Sequence, residues 1–533
     1  MKLNKLAFVC AAVCATFAGQ ASAQLAGANL TVVNNAKAAA GGARILYISG
    51  ASAVQGGFNQ ITASLLTNPI RFQSPSASDY RAVAGKLVTS AGGWAAGDDV
   101  IIINRAKGGS VFGVNPVARN AKIESINISA AGCTTGAGTV ALPYVCALTT
   151  DVTGTATPGN TDDDFIQPDA GVSDVAPGLF DGLYNTEGEP SEPALSPSEL
   201  ALLTPTPIYT LAFGVPMSDN LPLFNINKSA LSAIMAGNVG AWPQVNAAAG
   251  GLTAAQAAAG STDDILICRR VNGSGSQAVA NLYYGNYPCD TGLRANVPAD
   301  RSAGSAWNGV DKFLVEGNTG FANVVENSTS GDVRNCMNNA FDASAKAFVA
   351  DGVATPGTLN PLTRTISGAV GYTGYVSSDR AGNPVAVQFR DGRAHKAVGV
   401  LSMDSLSNST TTSKWTFRAM DGAGEITWGG VIATPPVVTG TGRLPTLASL
   451  TDGTWDQQGV ISLNVPSRTT GNKLALLNDF LAQATSPALL AAQTGLKFAA
   501  ASLPGTPDPT ATGNVTRASY LGGDQCAPLN RNN

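Results

Sequence analysis

The sequence predicts an α/β fold, because short apolar strands alternate with helices along the chain. Three apolar runs read as buried strands, at residues 44–48, 100–103 and 265–268. Each run leads directly into a turn rich in glycine and serine, which is typical of strand–loop–helix units. No repeat period stands out among the 60 glycines and 29 prolines.

Two helices are readable from side-chain spacing and end signals. Asn227 is a plausible N-cap, and an apolar face follows it until Gly237 ends the segment. Near the C-terminus, leucines repeat at helical spacing from Lys473 onward, at positions 474, 477 and 481.

The N-terminus reads as a secretory signal peptide over residues 1–23. Lys2 and Lys5 precede an apolar run at 6–18, and the small residues 21–23 precede Gln24. We expect cleavage after Ala23 and a periplasmic or secreted protein. Cleavage there leaves 510 of the 533 residues. A chain of this length exceeds the size at which a single hydrophobic core stops growing, so two or more lobes are expected. No later run approaches eighteen apolar residues, so no membrane span is expected in the mature chain.

Charge is sparse, at 13% of residues, and the formal net charge is −4. Loss of Lys2 and Lys5 with the leader would take it to −6. No cluster of lysines and arginines occurs, which disfavours nucleic acid and anionic membranes as partners. An anion site in this chain therefore has to rely on local geometry.

The cysteines predict disulfides rather than a metal site. Two of the eight lie in the leader, and the even remainder in an exported chain reads as three disulfides. Of the fifteen possible pairings we expect neighbours in sequence: Cys133–Cys146, Cys268–Cys289 and Cys336–Cys526. The chain has one histidine, His395, and no C-x-x-C pair, so no metal or cofactor is expected.

Three regions read as insertions. They are rich in Gly, Thr and Ala at 115–165, in Pro, Ser and Glu at 184–207, and in Thr, Gly and Pro at 405–450. We expect surface loops or small β excursions there.

Four turns rich in glycine and serine are candidates for oxyanion binding, at residues 49–53, 107–111, 171–174 and 269–276. An anion is favoured at a helix start, where free backbone N–H groups and the helix dipole meet it. Glycine lets the backbone approach closely, hydroxyls add donors, and arginine adds a charge-assisted fork. Singly, each turn is a weak signal.

In combination, the four turns resemble the substrate-binding proteins of phosphate ABC importers, which are type II periplasmic binding proteins. The family's G-A-T-F turn corresponds to G-A-S-A at 50–53, and its later helix-start serine to Ser110. Its G-A-S-D turn corresponds to G-V-S-D at 171–174. Its R-x-D-G-S-G-T corresponds to R-V-N-G-S-G-S at 270–276. Residues 227–242 and 368–372 also resemble family segments.

The resemblance implies two α/β lobes joined by two crossover strands, with loop or β insertions. The first lobe would comprise residues 24–207 and return at 376–533, and the second would comprise 208–375. The crossovers would lie near 208–215 and 371–376. Ligand would bridge the lobes and favour their closed arrangement.

The resemblance also implies ligand-binding residues from both lobes. Arg270 would pair with two anion oxygens. Hydroxyl or backbone N–H donors would come from Ser52, Ala53, Ser110, Ser274, Gly275 and Ser276. Asp174 would accept the proton that phosphate still carries near neutral pH and would repel sulfate, which carries none.

The chain departs from the family pattern at two of these positions. Asn272 stands where the family has an aspartate that braces the arginine, and Ala53 stands where it has an aromatic residue. Each site residue also has a plain structural interpretation. Asp174 can cap a turn, Arg270 can form a surface ion pair, and the serines can be ordinary helix caps.

The sequence thus predicts an exported solute-binding protein for a tetrahedral oxyanion, phosphate above all, with an ABC permease as a possible partner. The alternative is a surface or structural protein that kept the scaffold and binds other proteins through its insertions. A hydrolase is disfavoured, since the chain has no G-x-S-x-G elbow and a single histidine.

Overall fold

The computed structural model describes most of the chain after the leader. The residues described are 24–75, 79–149, 165–186, 194–245, 264–290, 312–313, 323–347, 349–350, 352–378, 384–392, 395–408, 412–427, 437–446, 449, 454–491, 497–498, 518–520, 524–527 and 529–531. The expected signal peptide lies outside them, as do parts of the three expected insertions.

Ten α-helices occur among the described residues. They are α1 (Gly27–Lys37), α2 (Phe58–Leu65), α3 (Asn115–Arg119), α4 (Leu183–Thr186), α5 (Pro197–Leu200), α6 (Lys228–Met235), α7 (Gly275–Gly285), α8 (Ser330–Ala345), α9 (Gly471–Ala484) and α10 (Pro487–Ala491).

One large sheet has eleven strands and organises what we call lobe 1. Its strands are β1 (Ile45–Gly50), β2 (Leu66–Gln73), β3 (Tyr80–Leu87), β4 (Asp99–Arg105), β5 (Cys133–Thr135), β6 (Tyr144–Cys146), β7 (Ala170–Ser173), β8 (Leu203–Gly214), β19 (Leu401–Ser402), β23 (Gln458–Pro466) and β24 (Lys497–Phe498). The order across the sheet is β19-β8-β23-β7-β1-β4-β3-β2-β6-β5, with β24 also on β8. β1 runs parallel to both β4 and β7.

A second sheet of five strands organises what we call lobe 2. Its order is β13-β11-β18-β9-β20, from β9 (Pro216–Ser218), β11 (Asp264–Arg270), β13 (Asn323–Asn327), β18 (His395–Gly399) and β20 (Trp415–Phe417). β11 is parallel to β13 and β18. Helix α8 packs on β11 and β18. Together the two sheets form the expected two-lobed α/β fold.

Smaller sheets complete the described structure. They contain β10 (Asn225–Ile226), β12 (Lys312–Phe313), β14 (Thr358–Asn360), β15 (Thr365–Ser367), β16 (Tyr372–Ser378), β17 (Pro384–Arg390), β21 (Ala419–Thr427), β22 (Val437–Arg443), β25 (Ala518–Tyr520) and β26 (Leu529–Arg531). The pairings are β12-β17-β16, β10-β21-β22, β14-β15 and β25-β26.

Helices cover both faces of the large sheet, which explains why its central strands are apolar at successive positions. In β1, Leu46 and Ile48 join the core under α2 and α9, whereas Tyr47 joins the core under α1 on the opposite face. A strand buried on both faces has no solvent side, so it shows no polar alternation. The three strands expected at 44–48, 100–103 and 265–268 are confirmed as β1, β4 and β11.

Both expected helices are confirmed, and one shows a shifted face. In α6, Asn227 Oδ1 accepts a hydrogen bond from the Ser229 N–H at 2.6 Å, as an N-cap does. In α9 the buried stripe contains Leu476, Leu477 and Phe480. Phe480 packs against Phe58 of α2, whereas the leucines at 474 and 481 are only partly buried.

Two of the passages of the chain between the lobes are adjacent. The chain leaves lobe 1 at the end of β8 and enters lobe 2 at β9, so the first passage is at residues 214–216. The second passage is at residues 399–401, between β18 and β19. Leu401 pairs with Gly214, and Val398 pairs with Met217, so the two passages run side by side.

The expected second crossover at residues 371–376 is therefore corrected, and lobe 2 extends past the expected limit at 375. Those residues open strand β16, which turns back into β17 as an antiparallel pair. β18 then pairs with β11 before the chain returns. β20 pairs with β9 after that return, so part of the expected 405–450 insertion lies against lobe 2.

Three disulfides form, but two of the expected pairings are wrong. Cys133–Cys146 is confirmed and joins β5 to β6. The other two bonds are Cys268–Cys336 and Cys289–Cys526 instead of Cys268–Cys289 and Cys336–Cys526. The 11-residue helix α7, about 16 Å long, carries the chain away from β11 before residue 289 is reached. Helix α8 instead brings Cys336 against Cys268, with their Cα atoms 6.0 Å apart.

A buried ion pair joins three segments beside the crossovers. Arg418 is fully buried, and its Nη1 lies 3.5 Å from Asp219 Oδ1. Its Nη2 donates to the carbonyls of Ser218 and Leu221, and its backbone N–H donates to Val215 O. Burial lowers the pKa of Arg418 to about 10, and the charge of Asp219 opposes that fall. The guanidinium therefore remains charged at neutral pH.

Replacing Arg418 by alanine is expected to destabilise the protein by about 3–5 kcal/mol, because the substitution leaves the buried Asp219 carboxylate without its partner. Urea unfolding at pH 7 measures the change. Arg443→Ala is the matched control, since Arg443 pairs with Asp421 near the surface and also donates to a carbonyl. That variant should lose less than about 1 kcal/mol. Equal losses in the two variants would contradict the assignment.

Candidate functional site

Gly50 allows the turn after β1 to lie in direct contact with two other backbone segments of lobe 1. Gly50 has φ +114°, and a Cβ there would overlap Val172 O and lie 2.7 Å from the Cα of Gly113. The N–H of Ala51 donates to Val172 O at 2.8 Å. A side chain at position 50 is thus excluded both by its backbone conformation and by its neighbours.

Ser52 and Ala53 lie in a 3-10 turn, Ser52–Gly56, that follows this junction. Ser52 is exposed and Ala53 is buried. The hydroxyl of Tyr209 donates to Ala53 O at 2.7 Å and holds the turn against β8. Burial raises the pKa of Tyr209, and the charges of Asp404 and Asp174 add to the rise, so the phenol keeps its proton. No motif or spacing in the sequence indicates this role for Tyr209.

Ser110 and Asp174 come together, as expected from the resemblance. The Asp174 N–H donates to Ser110 Oγ at 3.3 Å, and both residues are buried. Ser110 begins a 3-10 turn that ends at Gly113, while Asp174 directly follows β7. Both therefore lie at the carboxyl edge of parallel strands in lobe 1, where ligand sites of α/β sheets are usually found.

Helix α7 of lobe 2 begins against this pair. A Cβ on Gly275 would overlap Ser110 Oγ and would lie 2.7 Å from Asp174 Oδ2. Ser274 is the N-cap residue, but its side chain makes no capping hydrogen bond. Ser274, Gly275 and Ser276 are all buried. The structure thus places a helix start, a hydroxyl and a carboxylate at one point between the lobes.

A backbone hydrogen bond joins the lobes next to this point, and the sequence did not indicate it. The N–H of Val111 donates to Gly273 O at 3.0 Å. A Cβ on Gly109 would meet the Ser274 Cα at 3.1 Å, and Gly109 has φ +84°. The loop before Ser110 therefore touches the loop before α7 directly.

Arg270 is bonded within its own lobe. Its Nη1 donates to Ser330 Oγ at 3.1 Å, and its Nη2 donates to Ser328 O at 2.7 Å. Its charge also opposes the rise that burial causes in the pKa of Asp332. The described contacts connect Arg270 to the start of α8.

Asn272 stands where the resembled family has an aspartate, and its side chain contacts Arg269. Its side-chain oxygen accepts from Arg269 Nη2, and Arg269 Nη1 lies 3.8 Å from Glu326 Oε1. All three side chains are buried. Asn272 therefore orders the turn before α7 through Arg269.

Among the described residues, no three His, Cys, Asp or Glu side chains are grouped so that they could hold a metal ion. Within the same part of the chain, no helix is both long and apolar enough to cross a bilayer.

Comparison with known proteins finds similar solved structures only. No family model matches the chain, and no curated protein matches it. A PstS from Borrelia burgdorferi is 11% identical, with 84% of this chain and 96% of that chain covered, at a TM-score of 0.33. A DING protein is 11% identical, with 84% and 90% covered, at 0.38. An ABC-type phosphate transport receptor from Vibrio cholerae is 11% identical, with 61% and 78% covered, at 0.30. Because these scores are low, the fold assignment rests on the chain's own sheet topology.

Proposed function

We propose that this chain is an exported solute-binding protein that holds a tetrahedral oxyanion, phosphate above all, between its two lobes. The observation that carries the proposal is the start of α7 at Gly275, which abuts Ser110 Oγ and the Asp174 carboxylate of the opposite lobe.

The donors at this point suit an oxyanion. The first N–H groups of α7 have no partner within the helix, and the N-cap side chain of Ser274 does not cover them. The helix dipole adds a favourable potential for negative charge there. Ser110 offers a hydroxyl, and Gly275 leaves room for the backbone to approach an anion. These groups come from both lobes, so ligand binding favours closure.

Asp174 supports a choice of phosphate over sulfate. An ionised carboxylate repels an anion unless that anion donates a proton to it, and phosphate near neutral pH retains one. Sulfate has no proton to donate, so it would leave the buried carboxylate without a hydrogen bond. Sites that reject a ligand in this way discriminate by roughly 10⁴-fold. In this proposal the ligand is bound without turnover and is either passed to an ABC permease or sequestered outside the cell.

A second function is favoured by one observation. The Val111 N–H of lobe 1 donates to Gly273 O of lobe 2 at 3.0 Å, so the two loops are in direct contact. A scaffold with permanently docked lobes would show the same contact. Such a protein would bind partners through its insertions and not bind oxyanions.

Asp174→Asn is expected to abolish discrimination between the two anions, because an amide can donate to sulfate where a carboxylate repels it. Calorimetric titration of the anion-stripped mature protein measures both affinities. Wild-type protein should bind phosphate at micromolar Kd or tighter, about −8 kcal/mol, in excess sulfate. In the variant, the preference for phosphate should fall at least tenfold.

Asp181→Asn is the matched control, since Asp181 is an exposed aspartate of the same lobe. Its anion preference should equal that of the wild type. Wild-type protein that binds neither anion would contradict the proposal and favour the scaffold function.

Gly275→Ala is expected to weaken phosphate binding at least tenfold, because the added methyl group meets Ser110 and Asp174 and holds the lobes apart. The same titration measures the loss, and circular dichroism checks the fold. Gly178→Ala is the control, since no atom lies within 4 Å of a Cβ there. Equal affinity in the two variants would show that α7 does not close on the ligand as proposed.

A further inference from the structure

Helix α7 touches lobe 1 well beyond its first turn. Asn281 Nδ2 donates to Asn185 Oδ1 at 2.9 Å. Close by in the helix, the Tyr283 hydroxyl donates to Asp456 Oδ1 at 2.5 Å, and the Tyr284 hydroxyl donates to Gln457 Oε1 at 3.3 Å. Lobe 1 therefore holds this lobe 2 helix along its length, and not only at the anion site.

The contacts continue past the end of the helix. Tyr287 packs edge-on against Tyr184 of lobe 1, with ring centroids 5.5 Å apart. Two residues later, Cys289 forms its disulfide with Cys526. The end of α7 is thus tied covalently to the C-terminal part of the chain.

The C-terminal residues 524–527, which we call the strap, also touch lobe 1. Gln525 is buried, and its Oε1 accepts a hydrogen bond from the Ala176 N–H at 2.6 Å. Ala176 lies two residues after Asp174. The strap therefore contacts lobe 1 beside the proposed site, while its neighbouring residue Cys526 is bonded to lobe 2.

A second anchor limits how far the strap can move. The Tyr520 hydroxyl donates to Gln458 O of β23 at 2.7 Å. Five residues separate Tyr520 from Cys526, and the chain between these two residues spans at most about 22 Å when fully extended. Separation of the two lobes at α7 is therefore restricted as long as the disulfide is intact.

We propose that the strap and Cys289–Cys526 form a latch that limits opening of the lobes and so slows ligand exchange at the site. The exchange part of this inference rests on the proposed function. The restriction on opening does not, because it concerns the geometry of the two lobes alone.

The direct test removes the latch in the variant Cys289→Ser/Cys526→Ser. Without phosphate, small-angle X-ray scattering should give a larger radius of gyration than for wild type. Hydrogen exchange of the first-turn amides of α7 should be at least tenfold faster. Bound radiolabelled phosphate should dissociate at least tenfold faster, because the lobes open more often.

The matched control is Cys133→Ser/Cys146→Ser, which removes a disulfide confined to lobe 1. It should leave all three measurements at wild-type values. A Gly/Ser insertion directly after Tyr520 is a second test that retains the disulfide and lengthens the strap. If the latch limits how far the lobes can separate, this insertion should give the same larger radius of gyration and faster exchange as removal of the disulfide.

The outcomes separate the two proposals. If no variant binds phosphate but scattering and hydrogen exchange change as stated, the latch stands and the proposed function fails. If both latch variants match wild type in scattering and exchange, the latch is overturned, whatever the phosphate affinity.

Discussion

Close contact between three backbone segments of lobe 1 fixes the position of every candidate residue in that lobe. Gly50 meets Gly113 and Val172, and a Cβ on Gly171 would lie 2.5 Å from the Gly113 Cα. Asn464 of β23 donates to Gly113 O at 3.0 Å and completes the junction. Because no side chain separates the three turns, the segments carrying Ser52, Ser110 and Asp174 move as one body. Lobe 2 then needs to present only the start of α7.

Local features of this arrangement were predictable from the sequence. Each of these features is encoded in a short stretch of sequence, where periodicity and turn chemistry can be recognised. They are the apolar runs of β1, β4 and β11, the N-cap at Asn227 and the four turns rich in glycine and serine. The convergence of Ser110, Asp174 and Gly275 was expected only through the resemblance, since spacing alone does not relate residues so far apart in the chain.

Long-range relationships were not predictable in the same way. Two of the predicted disulfide pairings are wrong because α7 and α8 determine which cysteines meet, and these are not the cysteines that follow each other in sequence. The return crossover moved from 371–376 to 399–401 because the β16–β17 pair turns the chain back within lobe 2. The contact between Asn272 and Arg269 was not predicted, because two arginines stand in succession and spacing does not say which one faces the amide.

The edges of the large sheet have a consequence for a protein expected to work outside the cytoplasm. One edge strand, β5, has three residues and is cross-linked to β6 by Cys133–Cys146, while at the opposite edge β19 and β24 have two residues each. A short edge offers few unpaired backbone groups to a strand from another molecule. The insertion that carries β5 and β6 therefore ends the eleven-stranded sheet in a short, cross-linked strand at this edge, which disfavours edge-to-edge aggregation there whether or not the insertion binds a partner.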